Sequence, residues 1–241
     1  LIIVTSTETL PSGGRAGFWL PEAAYPWRAL VARGWDFEFL STAEGTPPMA
    51  GIDRSDPPQR WFLRDAEVSR KLEATRTAAA YDPADFPVVF IAGGPGAMWD
   101  LPKDEGLATF LAACLEGKSV VTAVCHGPAA LVSVRMADGG PAVRGRRLTA
   151  FTNREEEVIG MADQVPFLLA DELIGLGAHY EAGEPFRGHV VQDGNLVTGQ
   201  NPASTARAAE LAMRSVTGTP LPTGWLRRPW PRSAPVMGYG L

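Results

Sequence analysis

Cysteine is nearly absent from this 241-residue chain, which has only Cys114 and Cys125. Two cysteines make no disulfide framework and supply too few thiolates for a cysteine-built zinc site. Histidine is almost as scarce, at His126, His179 and His189. No pair of them has the spacing that places two imidazoles on one helix face, so the expectation is a protein with no metal. Basic residues do not outnumber acidic ones, and the net charge of -5 draws the chain neither to nucleic acid nor to an anionic membrane. No apolar run reaches the roughly 18–20 residues of a membrane span. No basic stretch precedes an apolar segment at the opening LIIVTST, so no signal peptide is expected and the expected compartment is the cytoplasm. What remains is ordinary globular composition, 45% hydrophobic and 20% charged, sufficient for one well-buried domain and a tight fit for two.

Short apolar runs alternate with helical patterns along the chain. LIIVTS reads as a buried strand, and residues 24–32 as a helix stopped by Gly34, which can take the left-handed C-terminal conformation. DFEFL (36–40) has strand alternation. Residues 41–58, rich in Gly, Pro and Asp, read as a long loop, and residues 65–77 as a polar helix. PVVFIA and SVVTAV are continuous β-branched runs of the kind that suit parallel strands covered on both faces. GLATFLAACLE between them is an amphipathic helix, and HGPAALVSV predicts a helix opening directly after the second run. Residues 147–150 read as a strand, followed by a loop and the helix VPFLLADELIGLG. HVVQD and LVTGQ form a hairpin closed at Asp193-Gly194-Asn195, and STARAAELAMRSV is the last helix. The alternation predicts an α/β fold, a mostly parallel sheet with helices on both faces. From Thr217 the chain carries five prolines and two tryptophans and loses all periodicity, which divides it into a domain of residues 1–216 and a Pro/Trp-rich extension of residues 217–241. That extension reads either as a tail laid on the surface or as a cover in which Trp225 and Trp230 close a pocket or meet a neighbouring subunit.

AVCHGPAAL joins a strand, one cysteine, a glycine two residues on and a helix start. This is the arrangement of a nucleophile elbow, with Cys125 thrown out above the sheet edge and Gly127 allowing close backbone passage. A helix N-terminus beneath the sulfur would lower its pKa. Cys114, inside TFLAACLE, reads as a small buried hydrophobe. One strand earlier, FIAGGPGAMWD places Gly93 and Gly94 where successive amides can form an oxyanion nest. It lacks the Lys-Ser/Thr of a phosphate loop.

Five segments, GFWLPEAAYPW, AGGPGAMWDLP, AVCHGPAAL, FTNREEEVIG and LVTGQNPAS, together resemble the ThiJ/PfpI superfamily, whose fold is that of class I glutamine amidotransferase domains. The likeness runs in order over residues 1 to about 216, and is nearest to the branch of glutathione-independent glyoxalases (glyoxalase III, D-lactate dehydratase) and stress chaperones. It implies a flavodoxin-like three-layer sandwich with a nucleophile elbow. It also implies a nucleophile at Cys125, a histidine at His126, an orienting acid at Glu156 and a second carboxylate, Glu22, against the sulfur. Read alone, Glu22 is a first-turn helix acid after Pro21, and Glu155 and Glu157 are a solvated acidic face. Oxyanion donors fall on the amides of Gly94 and His126, and Pro95, Trp19 and Trp99 line the expected pocket. Two departures reshape that pocket: Gly93-Gly94-Pro95-Gly96 stands where the branch usually has Gly-Gly-His-Gly, and STAEGTPP stands for a serine-proline-glycine-glycine loop.

The resemblance implies a cofactor-free lyase that adds the Cys125 thiolate to the aldehyde of methylglyoxal and releases D-lactate, working as a homodimer on a small molecule. Two other readings stand beside it. One is hydratase or lyase chemistry on a larger, secondary-metabolite substrate; the other is a stress chaperone or a sensor in which Cys125 is oxidised.

Overall fold

The computed structural model describes residues 1–227. The chain runs through β1 (Ile2–Val4), then through the short strand β2 (Phe18–Trp19) directly into α1 (Leu20–Ala32). β3 (Phe39–Ser41) is followed by β4 (Met49–Ala50), which pairs with β2, and by α2 (Pro57–Phe62) and α3 (Ala66–Glu73). β5 (Val88–Ile91) leads to α4 (Ala97–Asp100) and α5 (Glu105–Glu116). After β6 (Val120–Val124) come β7 (Arg147–Leu148), α6 (Asn153–Val158), α7 (Leu169–Gly175) and β8 (His179–Tyr180). The hairpin β9 (Val190–Asp193) and β10 (Leu196–Gly199) precedes α8 (Thr205–Thr217).

Six strands make the central sheet in the order β3-β1-β5-β6-β10-β9, parallel throughout except at the β9/β10 hairpin. Counted in chain order, its five parallel strands lie 2-1-3-4-5, the doubly wound flavodoxin-like order. Alternate side chains of each run go to opposite faces. Ile3, Val89, Ile91, Val121 and Ala123 join the core under α5, while Ile2, Val4, Phe90, Val120 and Val124 join the core under α1 and α8. Burial on both faces is why these strands carry no polar alternation.

The Asp193-Gly194-Asn195 turn closes the hairpin with Gly194 at φ 56° and Asp193 opposite Leu196. Several boundaries differ from the sequence reading. α1 begins four residues before the expected Ala24, because Pro21 preorganises its first turn. The expected loop of residues 41–58 contains β4 and the start of α2. α3 is confined to Ala66–Glu73, with the Asp65 carboxylate capping the amides of Glu67 and Val68. The helix expected after Cys125 is only a five-residue 3-10 turn, Gly127–Leu131. Val132 and Val134 disfavour its continuation, and Arg135 bridges instead to Pro141.

Past α8, Gly218 turns left-handed at φ 71°. The Arg33 guanidinium then binds the carbonyls of Thr219 and Pro220. Leu221 is buried, and Trp225 packs on the core beneath α1 and α8. Residues 218–227 thus lie on the body of the domain; Trp230 falls outside the described residues.

Candidate active site

β5 and β6 deliver two glycine-bearing turns to the same sheet edge, where their carboxyl ends meet the N-terminus of α1. At the end of β6, Cys125 adopts φ 93°, a conformation a non-glycine residue holds only when its surroundings impose it. Those surroundings are two backbone bonds. The Cys125 amide donates to Gly199 O of β10 at 3.0 Å, and its carbonyl accepts from the Phe151 amide at 2.6 Å. Gly127 must lack a side chain, because a Cβ there would stand 2.6 Å from Ile91 O. The same holds for Gly93, where a Cβ would reach within 2.9 Å of Val124 O, the His126 amide and Glu22 Oε2.

Glu22, in the first turn of α1, is buried and accepts the Gly93 amide on Oε2 at 2.7 Å. Its Oε1 has no hydrogen-bond partner of ordinary geometry among the described residues, and the carboxyl interacts with the Cys125 thiol. On the other side, His126 Nδ1 lies 3.9 Å from Cys125 Sγ, and its Nε2 lies 2.6 Å from Glu156 Oε1. An ionised carboxylate only accepts, so Nε2 carries the proton and Nδ1 presents a lone pair to the sulfur. Phe151 lies against the imidazole, with ring centroids 4.5 Å apart. The structure therefore assembles Cys125, His126, Glu156 and Glu22 around one sulfur, all of them buried.

The electrostatics correct one expectation. Burial, followed by the neighbouring Glu22 carboxyl, pushes the Cys125 thiol well above its ordinary pKa. The His126 amide pulls it down, but by less than burial and Glu22 push it up. Burial also raises Glu22 to about 7, against opposing contributions from Cys125, the Gly93 amide and His126. The two groups form a coupled pair. At neutral pH the sulfur is therefore held as a thiol, beside a carboxyl that ionises as pH rises through about 7. The Gly94 amide, at φ 112° in its turn, donates to no acceptor among the described residues.

The pocket residues are placed less uniformly. Trp19 is half-buried: its amide binds Gly93 O at 3.0 Å, and its indole covers Gly51, where a Cβ would collide with the ring. Pro95 is half-buried in the turn closed by the Ala97 amide on Gly94 O. Trp99 packs against the core that contains Leu101 and Leu107, under the sheet face opposite α1.

Of the three adjacent glutamates, Glu157 is exposed and pairs with Arg154, whereas Glu155 is fully buried, contrary to the solvated reading. Glu155 closes a capping box with Thr152 at the start of α6, a segment read as loop. Its Oε2 accepts from the Thr152 amide and hydroxyl, and its Oε1 from the Phe186 amide at 2.7 Å and Asn201 Nδ2 at 2.8 Å. Four donors satisfy this carboxylate without a cation. The sequence reading missed Glu155, Phe151 and Phe186; the T-x-x-E spacing of the capping box is the one local signal that marked Glu155. Among the described residues, no group of three or more His, Cys, Asp or Glu is placed to hold a metal ion, and no helix is long and apolar enough to cross a membrane.

Comparison with known proteins places the chain in company. Residues 16–214 match the model of the DJ-1/PfpI family. Glyoxalase 3 of Candida albicans is 29% identical over 225 residues, spanning 87% of this chain and 94% of that protein. The glutathione-independent glyoxalase hsp3102 of Schizosaccharomyces pombe is 34% identical over 222 residues, 86% of this chain and 91% of its own. Among solved structures, the Rapid Encystment Protein 24 KDa of Francisella tularensis superposes with a TM-score of 0.85 at 27% identity, covering 89% of this chain and 97% of that one.

Proposed function

Because the chain belongs to the DJ-1/PfpI family, we propose that it is a cysteine-dependent enzyme that converts a small 2-oxoaldehyde, with methylglyoxal as the first candidate, to the 2-hydroxy acid without glutathione. For methylglyoxal the product is D-lactate, and the reaction is that of a glyoxalase III-type lyase. One observation carries this reading: a single sulfur flanked on one side by His126 held on Glu156 and on the other by Glu22. The chemistry needs a nucleophile and two proton carriers. The names of the fungal relatives, glyoxalases independent of glutathione, support the same reaction class.

In this mechanism the Glu22 carboxylate takes the thiol proton as Cys125 Sγ adds to the aldehyde carbon. The new alkoxide faces the amides of Gly94 and His126. His126 Nδ1 removes the proton from C1 and an enediol forms. Reprotonation at C2 leaves a thioester, and water hydrolyses it to the 2-hydroxy acid and the free thiol. The sum is substrate plus water, with C1 oxidised and C2 reduced, so no external electron carrier enters. Glu156 keeps the imidazole proton on Nε2 and stabilises the cation formed when Nδ1 is protonated.

The redox-sensor reading calls for an exposed thiol of low pKa; Cys125 is buried and shifted the other way. Lyase or hydratase chemistry on a larger carbonyl compound uses the same groups and is favoured by Pro95, which replaces a polar side chain on the pocket wall. The proposal includes a catalytic unit of residues 1–216, an extension of residues 217–241, a homodimer and a cytoplasmic location. The direct test is lactate formation from methylglyoxal with no added thiol. Wild type should turn over and Cys125→Ser should fall to background; equal rates for the two would sink this reading.

A further inference from the structure

Most of the segment between β8 and β9 is exposed, yet buried side chains hold its backbone at four points around one turn. The Gln200 amide group accepts the Gly183 amide at 2.7 Å and donates to Glu184 O. Asn201 Nδ2 donates to Arg187 O at 2.8 Å, and Glu155 Oε1 accepts the Phe186 amide. Gln200, Asn201 and Glu155 are all fully buried. Three buried polar groups are thus committed to one surface turn, closed by the Arg187 amide on Glu184 O.

Pro185 occupies the second position of that turn, and Phe186 occupies the third at φ 57°. A turn of this pattern favours glycine or asparagine at the third position, because a left-handed backbone strains a bulky side chain. The ring does not compensate by joining the core, since Phe186 is 44% exposed. It stands edge-on to Phe151, with centroids 6.3 Å apart, and Phe151 lies on the His126 imidazole. A strained, half-exposed aromatic ring, anchored through the residue next to Glu156 and continuous with the ring on His126, belongs to the site rather than to the packing.

We infer that Phe186 is a specificity-determining residue: it forms the outer apolar wall of the site and favours carbonyl substrates bearing an aromatic or bulky apolar group. This rests on the proposed function and extends it to a substrate class. Two substitutions probe it differently. Phe186→Gly suits the left-handed backbone, so it removes the ring while easing the turn. Glu155→Gln keeps an acceptor for the Thr152 cap but turns an NH₂ group toward the Phe186 amide and Asn201, so it releases the turn and displaces the ring without removing it.

The experiment compares kcat/KM for phenylglyoxal and methylglyoxal in wild type and both variants. It also measures Cys125 alkylation by N-benzyl iodoacetamide against iodoacetamide. Phe186→Gly is expected to lower the ratio of kcat/KM for phenylglyoxal over methylglyoxal about tenfold or more, and Glu155→Gln should shift the ratio in the same direction. An equal fall for both substrates would mean that the ring only props Phe151 and would overturn the inference, as would an unchanged ratio. If wild type turns over neither substrate, the glyoxalase reading fails by itself. The ratio of alkylation rates then decides on Phe186: a fall in the benzyl preference in both variants supports it, and an unchanged preference overturns it.

Discussion

At the scale of single residues, the site depends on one proton shared between Glu22 and Cys125. The carboxyl, raised to about 7 by burial, has to be ionised to accept the thiol proton. kcat/KM should therefore rise as pH increases through about 7. Glu22→Gln should remove that limb and lower kcat by about 10²–10³-fold, as a pH–rate profile on methylglyoxal would record. The same shift bears on stability. A folded-state value above the ordinary 4.5 means the fold holds this proton more tightly than the unfolded chain does. The contribution is therefore complete below about 4.5 and is lost as pH rises through about 7. Glu22→Gln retains an acceptor for the Gly93 amide but carries no charge. It should be more stable than wild type at pH 8, by about 3 kcal/mol, and show no such advantage at pH 4.5. Thermal melts at the two pH values measure the difference.

At the scale of elements, α6 carries the acid of the dyad, and its capping box fixes where that acid lies. Thr152→Ala removes a hydroxyl that both accepts the Glu155 amide and donates to the Glu155 carboxylate. It should cost about 1 kcal/mol of stability. It should also lower kcat more than it changes KM, because Glu156 sits one residue along on the same turn; steady-state kinetics with a denaturant titration checks both. This element also marks how far local pattern reaches. The central strands were legible as unbroken β-branched runs, the hairpin from Asp-Gly-Asn, and the elbow from one cysteine between strand and glycine. The acidic run at residues 155–157 was only partly legible: that Glu155 is buried beside Glu156 is decided by Phe186 and Asn201, some 31 and 46 residues away. The turn after Cys125 was read as a helix because Gly127 and Pro128 open one well, and the bridge from Arg135 to Pro141 that ends it is a pairing no helical period reveals. The expected low thiol pKa followed from that helix, and burial reversed it.

At the scale of the whole molecule, three crossover units of one doubly wound sheet, one bringing Glu22, one Gly93 and one Cys125, His126 and Glu156, meet at its carboxyl edge, as the topology requires of a site in this fold. Their convergence has a kinetic consequence. The Cys125 amide is tied to Gly199 O, 74 positions along, in a strand that enters the sheet only after most of the chain has been made. Pairings of such long range close late in folding. Until β10 docks against β6, one of the two bonds that impose the left-handed backbone at Cys125 is missing, and the sulfur is a more accessible and less discriminating thiol. Selectivity is therefore acquired at the last step of assembly, and the nascent chain passes through a vulnerable interval in which electrophiles can capture it without turnover. In a Cys114→Ala background, refolding should restore catalytic activity and loss of Cys125 reactivity toward Ellman's reagent in the same slowest phase. A thiol protected well before activity returns would show that the elbow forms without its distant strand.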